Sequence, residues 1–504
     1  MNNKEKLIYC IGDSHASFFS GLDEMQLEWP KPVENSLPFF RVMRLGPVLA
    51  YSLYRYGTKT RGRENLFKAI RKIPPKSKVL LCFGEIDCRN HILKQAALQK
   101  RALEEVVAEC VDRYTSVAGE LKDMGHEIIL WGVSASSLNN NPPNSEFPTY
   151  GTCIERNRAT AIFNRFLADW CVANKTKFVS IFDELIDSQY RTKTEFYADQ
   201  IHLSQKVMPL TIAKMQKIIP DVNFNSMPGV MVITPSSIDT PVKLMSAERA
   251  LRSLHEEAKN QLPHIVVDNL LGTESGVLSR LIHLRRINFA KKVYARQGIT
   301  FIRKFYRDGS KALLHALRKA YDDGADLVFI HFDENIYAPV FGTLLNYAQD
   351  AFSQIGDLAM IRLGGYPVIS PDSSPLLGNR SFIKISKEVS FDAVQLRPER
   401  RPKYTLWWSP FHGDMCQGKF MPVTLNFTVY RTGFLLKLLS LNGIDKLHQL
   451  SDVENYFMDN DNWQKVVKIL PRKLGYINMQ FGGISTAGYN DWRSFLSFPN
   501  DEIR

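Results

Sequence analysis

Three apolar runs, each stopping at a turn that carries polar side chains, constrain this chain more than any other feature. Lys6-Leu7-Ile8-Tyr9-Cys10-Ile11 ends at Gly12-Asp13-Ser14-His15. Lys78-Val79-Leu80-Leu81-Cys82-Phe83 runs into Gly84-Glu85-Ile86-Asp87-Cys88-Arg89, and Glu127-Ile128-Ile129-Leu130-Trp131-Gly132-Val133 is the third. Runs this short and this continuously apolar read as strands buried on both faces. Helical stretches such as Leu103 to Met124 separate them, which predicts parallel βαβ winding. In such sheets, sites lie beyond the carboxyl ends of the strands, where Ser14 and the Gly84 segment both fall.

A second string, Asp199-Gln200-Ile201-His202-Leu203-Ser204, supplies what a serine at a strand tip needs. The serine needs a base to take its proton, and the histidine needs an acid to fix its tautomer. Asp199 and His202 are three apart, so one helical turn or a tight loop can present both to Ser14. Gly-Asp-Ser by itself is a common turn, and Asp-x-x-His is a common helix cap. Their order and strand context together point to chemistry.

The combination resembles the SGNH (GDSL-type) hydrolase family, in which the nucleophile comes first and an Asp-x-x-His pair closes the domain. The resemblance implies a parallel α/β/α sandwich without a cofactor, and a triad of Ser14, His202 and Asp199. Gly46, in Arg44-Leu45-Gly46-Pro47, matches the family's second block, whose glycine N–H helps bind the oxyanion. The third block usually reads Gly-x-Asn-Asp, and here Ile86 stands in place of the asparagine. Losing one such donor costs several kcal/mol of transition-state stabilisation. Arg89 and Asn90 are the candidates to replace it.

At 504 residues the chain is too long for one such domain. No run of 18 apolar residues appears, and the start leads straight into a strand without a signal-like apolar stretch. Seven cysteines are scattered with no C-x-x-C pair, which predicts reduced thiols, a cytoplasmic setting and no zinc. The net charge of +12 gathers at Lys59–Lys72, at Arg285-Arg286 with Lys291-Lys292, and at Arg397–Lys403. Besides a solvated surface, this charge suits anionic sugar nucleotides, lipid-linked phosphates or the inner face of a membrane, with peripheral association. The clusters lie on different elements and no nucleic-acid motif accompanies them, so nucleic acid is not expected.

The first domain is expected over 1–221, with a turn-rich linker at 222–229 and a second domain over 230–504. After the linker the strand pattern restarts at Val230–Pro235 and His264–Asn269, with helices at Ala247–Lys259 and Asp308–Tyr321. Ala325 to Phe332 is then an apolar strand ending in Asp333-Glu334-Asn335. This run resembles glycosyltransferases of the GT-A fold with family-2-type sequences, a Rossmann-like mixed α/β domain. The resemblance implies that Asp268, Ser310, Asp333 and Glu334 serve the nucleotide-sugar donor. Asp333 and Asn335 would be the Mn²⁺ or Mg²⁺ ligands that neutralise a departing diphosphate. Thr428 to Leu436 and Leu450 to Asn455 resemble the acceptor half, where Glu454, with Asp452 in reserve, would be the base for the acceptor hydroxyl. Trp407-Trp408 and His412 precede it.

Together these readings describe a bifunctional enzyme of glycan assembly. One domain would hydrolyse or transfer an acyl group, and the other would move a sugar to a glycan or lipid-linked glycan acceptor. The departures at Ile86 and Asn335 keep two alternatives open. One is a glycan-binding scaffold with one or both domains degenerate, and the other a plain carboxylesterase with an inactive appended domain.

Overall fold

Alternation along the first strands decides how the N-terminal sheet is buried. β1 (Ile8–Gly12), β2 (Phe40–Arg44), β3 (Lys78–Cys82), β4 (Glu127–Trp131) and β5 (Lys177–Val179) pair in parallel in the order β2-β1-β3-β4-β5. Ile11, Val79 and Leu81 pack into one buried cluster, and Ile8, Cys10, Leu80 and Cys82 into another, as a period of two requires. α1 (Gly62–Ile70), α2 (Ile92–Gln99), α3 (Leu103–Asp123) and α4 (Cys153–Ala173) feed the first cluster, while α5 (Met208–Ile218) and the 3₁₀ turn Ser14–Ser20 feed the second. The result is a three-layer α/β arrangement in which helices seal both faces.

The computed structural model describes residues 7–140 and 148–258 and, beyond these, the elements named here with short connections. The longer stretches outside the described residues are 1–6, 141–147, 269–276, 364–391, 395–403, 411–424, 457–472 and 480–496. The chain divides into two compact units, Met1–Ser226 and Met227–Arg504, and the division falls inside the stretch 222–229.

Strand order reverses at β1, because β2 lies on one side of it and β3 on the other, which opens a crevice at their carboxyl ends. The close approach there is set by Gly12, paired with Arg44 and Cys82. A Cβ at Gly12 would stand 2.2 Å from the carbonyl oxygen of Cys82. Gly12→Ala is therefore expected to force β1 and β3 apart and cost about 3 kcal/mol or more, read as a lowered melting temperature of the first unit.

The second unit is built on a nine-stranded mixed sheet. Its elements are β6 (Val230–Ser236), α6 (Pro241–Ala258), β7 (His264–Asp268), α7 (Val277–Tyr294), β8 (Ile299–Ile302), α8 (Gly309–Asp322) and β9 (Leu327–Ile330). They continue with β10 (Asn335–Tyr337), α9 (Phe341–Gln354), β11 (Leu358–Arg362), β12 (Asp392–Val394), β13 (Tyr404–Pro410), β14 (Thr428–Arg431), α10 (Thr432–Leu439), β15 (Lys473–Met479) and β16 (Ser497–Pro499). The sheet order is β12-β13-β15-β11-β14-β9-β6-β7-β8, with β9, β6, β7 and β8 mutually parallel and β14 antiparallel to β9. β10 and β16 form a separate antiparallel pair. Ile265 and Val267 of β7 pack with α8 and α10, while Val266 packs with α6 and α7 on the other face.

α6 begins six residues before the expected start at Ala247. Thr240 caps it, its carbonyl accepting from Leu244 N, and Pro241 occupies the first helical position that tolerates a missing N–H. Among the described residues no helix is long and apolar enough to cross a membrane. Six cysteines there are buried and free.

Candidate active site

The crevice of the first unit receives its nucleophile from the turn after β1. Asp13 is fully buried at the start of the 3₁₀ turn, and its Oδ1 accepts from His15 N at 2.9 Å, which fixes the backbone around Ser14. Burial is the main reason its carboxyl is pushed up to about 6, partly offset by His15.

His202 arrives from a tight loop near the other end of the unit. Tyr197 bridges to Leu203, and Ala198 N donates to His202 O at 2.9 Å, so the loop closes on itself. Asp199 stabilises its interior by accepting from Ile201 N and His202 N, both at 2.6 Å, through Oδ1. Asp199 Oδ2 then lies 2.7 Å from His202 Nδ1, and His202 Nε2 lies 2.9 Å from Ser14 Oγ. Burial opposes ionisation of Asp199, but the hydrogen bonds and charge of His202 outweigh it and hold the carboxyl well below its ordinary range. A carboxylate on Nδ1 leaves Nε2 as the proton acceptor, the tautomer a base needs.

The loop itself is anchored 182 and 187 residues away in sequence. Gln205 N donates to Asp23 Oδ1 at 2.6 Å, and Gln205 Nε2 donates to Phe18 O at 2.8 Å. These bonds tie the histidine segment to the stretch that follows the serine.

Sequence reasoning did not single out the pair His15 and Glu85. The His15 ring lies 5.0 Å from the His202 ring, centroid to centroid, and His15 Nε2 is 3.3 Å from Glu85 Oε2. Arg89 Nε reaches both Glu85 oxygens, at 2.9 and 3.1 Å. All three side chains are buried. Burial opposes the Glu85 charge, yet Arg89 and His15 prevail and hold Glu85 at about 2. Burial likewise works against charging His15, and the Glu85 bond and charge raise it above its ordinary value. The available signal was the i, i+4 spacing of Glu85 and Arg89 next to a histidine in the first block.

That network is where the structure places Arg89. Its guanidinium donates to Glu85 through Nε and to Pro148 O, at 3.3 Å, through Nη1. Asn90 is half-buried on the same turn. Gly46 follows β2 with φ of +89°, a left-handed conformation that favours glycine, at the carboxyl edge shared with Ser14. Asp87 is buried and accepts from Ala50 N at 2.7 Å and Tyr51 N at 3.2 Å, which pins the loop after Gly46.

In the second unit, Asp268 ends β7 and Asp333 follows β9, both buried. Asp268 Oδ2 lies 2.8 Å from His283 Nδ1, and Arg286 approaches Oδ1 at 3.9 Å. Asp333 accepts from Tyr294 OH at 2.6 Å through Oδ1 and from Ser237 N at 2.7 Å through Oδ2. Burial raises both carboxyls, with these partners acting against it. Ser310, expected at the donor, donates its hydroxyl to Leu447 O at 2.5 Å.

Asn335 starts β10, and Trp407-Trp408 lie on β13. Glu334, His412 and Glu454 lie outside the described residues, and Asp452 is half-buried in a helical turn. Both Asp333 oxygens are occupied, and among the described residues no group of three His, Cys, Asp or Glu side chains is placed to hold a metal ion.

The first unit is thus a parallel α/β layer structure with a Ser–His–Asp constellation at the carboxyl edge of its sheet. No family model matches the chain, and no curated protein matches it in sequence. Solved structures similar over its N-terminal part are acylhydrolases and acetylesterases. An acetyl xylan esterase is 13% identical, covers 42% of this chain and 100% of its own length, and has a TM-score of 0.26. A carbohydrate acetylesterase from Sinorhizobium meliloti is 15% identical over 43% of this chain and 99% of its own, with a TM-score of 0.27. A GDSL-like lipase from Bacteroides thetaiotaomicron is 16% identical over 43% of this chain and 89% of its own, also with a TM-score of 0.27.

Proposed function

We propose that the first unit is an SGNH-type acyl-ester hydrolase whose nucleophile is Ser14. The observation that carries this reading is the unbroken path from Asp199 Oδ2 through His202 to Ser14 Oγ, at 2.7 and 2.9 Å. Ser14 Oγ attacks the acyl carbon while its proton passes to His202 Nε2, and Asp199 stabilises the imidazolium that forms. Ile86 brings no side-chain donor, so the oxyanion is left to backbone N–H groups, with Gly46 foremost. His202 then returns the proton to the leaving alkoxide. Water, activated by His202, cleaves the acyl-enzyme and regenerates Ser14; a sugar hydroxyl in its place would complete acetyl transfer. A fluorophosphonate probe tests the reading. A stable adduct is expected on Ser14 by peptide mass analysis, absent in His202→Ala, and an unlabelled Ser14 in folded protein would overturn it.

A second reading concerns the other unit, as a glycosyltransferase using a nucleotide-sugar donor. It is favoured by the placement of Asp268 and Asp333 at the carboxyl ends of parallel strands on either side of β6, where strand order reverses. No step of it is routed through a metal. Asp333→Ala is expected to lower release of nucleoside diphosphate from the accepted donor by about tenfold or more. A panel of nucleotide sugars, assayed with Mn²⁺ and with chelator, checks this. Turnover of no donor would sink the transferase.

A further inference from the structure

The described residues of the second unit expose seven large hydrophobic side chains, and six of them lie on two neighbouring helices. Val242 and Met245, in the first turns of α6, are 71% and 67% exposed. On α7, Val277, Leu281 and Leu284 are 75%, 57% and 56% exposed, and Ile282 adds a smaller share. Residues 277, 281 and 284 follow one another at intervals of four and three, so they form a single outward stripe. A second stripe of α7 (His283, Ile287, Ala290 and Tyr294), about a third of a turn round the helix, is buried. α7 is therefore apolar on two sides, and among the described residues only one of them is covered.

Topology places these side chains on one surface. α6 follows β6 and α7 follows β7, and these strands are parallel neighbours, so both helices begin at the carboxyl edge of the sheet. Both cover the same face, because Ala247 and Leu251 of α6 share a buried cluster with Ala290 and Val293 of α7 over Val266.

Charge identifies what this surface meets. α7 contains Arg280, Arg285, Arg286, Lys291 and Lys292 and no acidic residue. Arg286 turns toward Asp239 and Asp268, whereas Arg280, Arg285 and Lys292 are exposed. Arg285 and Lys292 each lie 5.5 Å from the centre of the half-buried Phe289 ring. Lys243, paired with Asp239, is the cation of the first α6 turn, and the first acid of that helix is Glu248. Aliphatic side chains interleaved with cations suit the boundary between headgroups and acyl chains.

We infer that the outward face of α6 and α7 docks on an anionic phospholipid bilayer. Insertion of the aliphatic stripe supplies apolar burial, and each exposed cation adds about fivefold in partitioning near an anionic surface. The chain would attach peripherally, with the carboxyl edge of the second sheet turned to the lipid.

Vesicle co-sedimentation of the full chain tests this without any sugar donor or acyl ester, so the outcome is independent of the functions proposed above. Phosphatidylcholine vesicles containing about a third phosphatidylglycerol are expected to carry the protein down, and pure phosphatidylcholine to carry little. Leu281→Gln with Leu284→Gln, and separately Arg280→Gln with Arg285→Gln, are each expected to lower partitioning about tenfold or more. All four positions are exposed, so unchanged melting curves show that the fold is intact. Three results would overturn the inference: no sedimentation with anionic vesicles, binding indifferent to both pairs, or self-association of the wild type that both pairs abolish.

Discussion

Ser14→Ala is expected to lower acyl-ester turnover by about 10⁴- to 10⁶-fold while leaving the first unit folded. Among the described residues the hydroxyl that is lost meets His202 Nε2, so stability has little to lose. The loss in rate is large because nucleophile, base and orienting carboxylate act as one unit. Their removals should not add: Ser14→Ala combined with His202→Ala is expected to be no slower than either alone. Asp199→Asn should cost up to about 10⁴-fold, because the amide no longer enforces the tautomer. Turnover of p-nitrophenyl acetate, with melting curves for each variant, reads all of these. Near-wild-type turnover in Ser14→Ala would remove Ser14 from the chemistry.

Glu85→Gln is expected to destabilise the first unit by about 3–5 kcal/mol, because it leaves the buried Arg89 guanidinium without its carboxylate. Glu85 lies between Arg89 and His15, and an amide cannot balance the guanidinium charge. The sign of the pH dependence follows from the same pair. Glu85 is held at about 2, below its ordinary value, so its contribution is complete above the ordinary carboxylate range and is lost as pH falls through about 2. Urea unfolding of the wild type and Glu85→Gln between neutral pH and pH 2 should show two curves that converge toward the acid end. A constant gap would mean that Glu85 acts through packing and not through charge.

The sequence is most legible where local chemistry and long-range packing agree. β1, β3 and β4 are continuous apolar runs because helices cover both faces, so their pattern survives in one dimension. β2 and β5 were not expected. β2 carries Arg41 and Arg44 among its apolar residues, and β5 has only three residues, Lys177–Val179. Both are edge strands, and what makes them strands is the register offered by β1 and β4. Ser14, Asp199 and His202 could be grouped in sequence because two short strings contain them all. The Glu85–Arg89 pair could not be assigned in advance, since a guanidinium four residues from a carboxylate satisfies an oxyanion role and an ion-pair role equally on paper. Burial of both decides for the ion pair. In the second unit, the spacing of Asp268 and Asp333 was visible, but the partners that occupy Asp333, Tyr294 and Ser237, lie on separate elements and only the fold brings them there.

The link from Gln205 to Asp23 and Phe18 carries a consequence for synthesis. Ser14 leaves the ribosome before the segment that activates it, which follows 188 residues later. At cellular elongation rates that interval is about 10–40 s. Throughout it the growing chain carries an ordinary alcohol and no base. Acyl compounds that meet a nascent molecule should therefore escape it, and the first turnover should mark the moment at which the last loop of the unit locks onto the first.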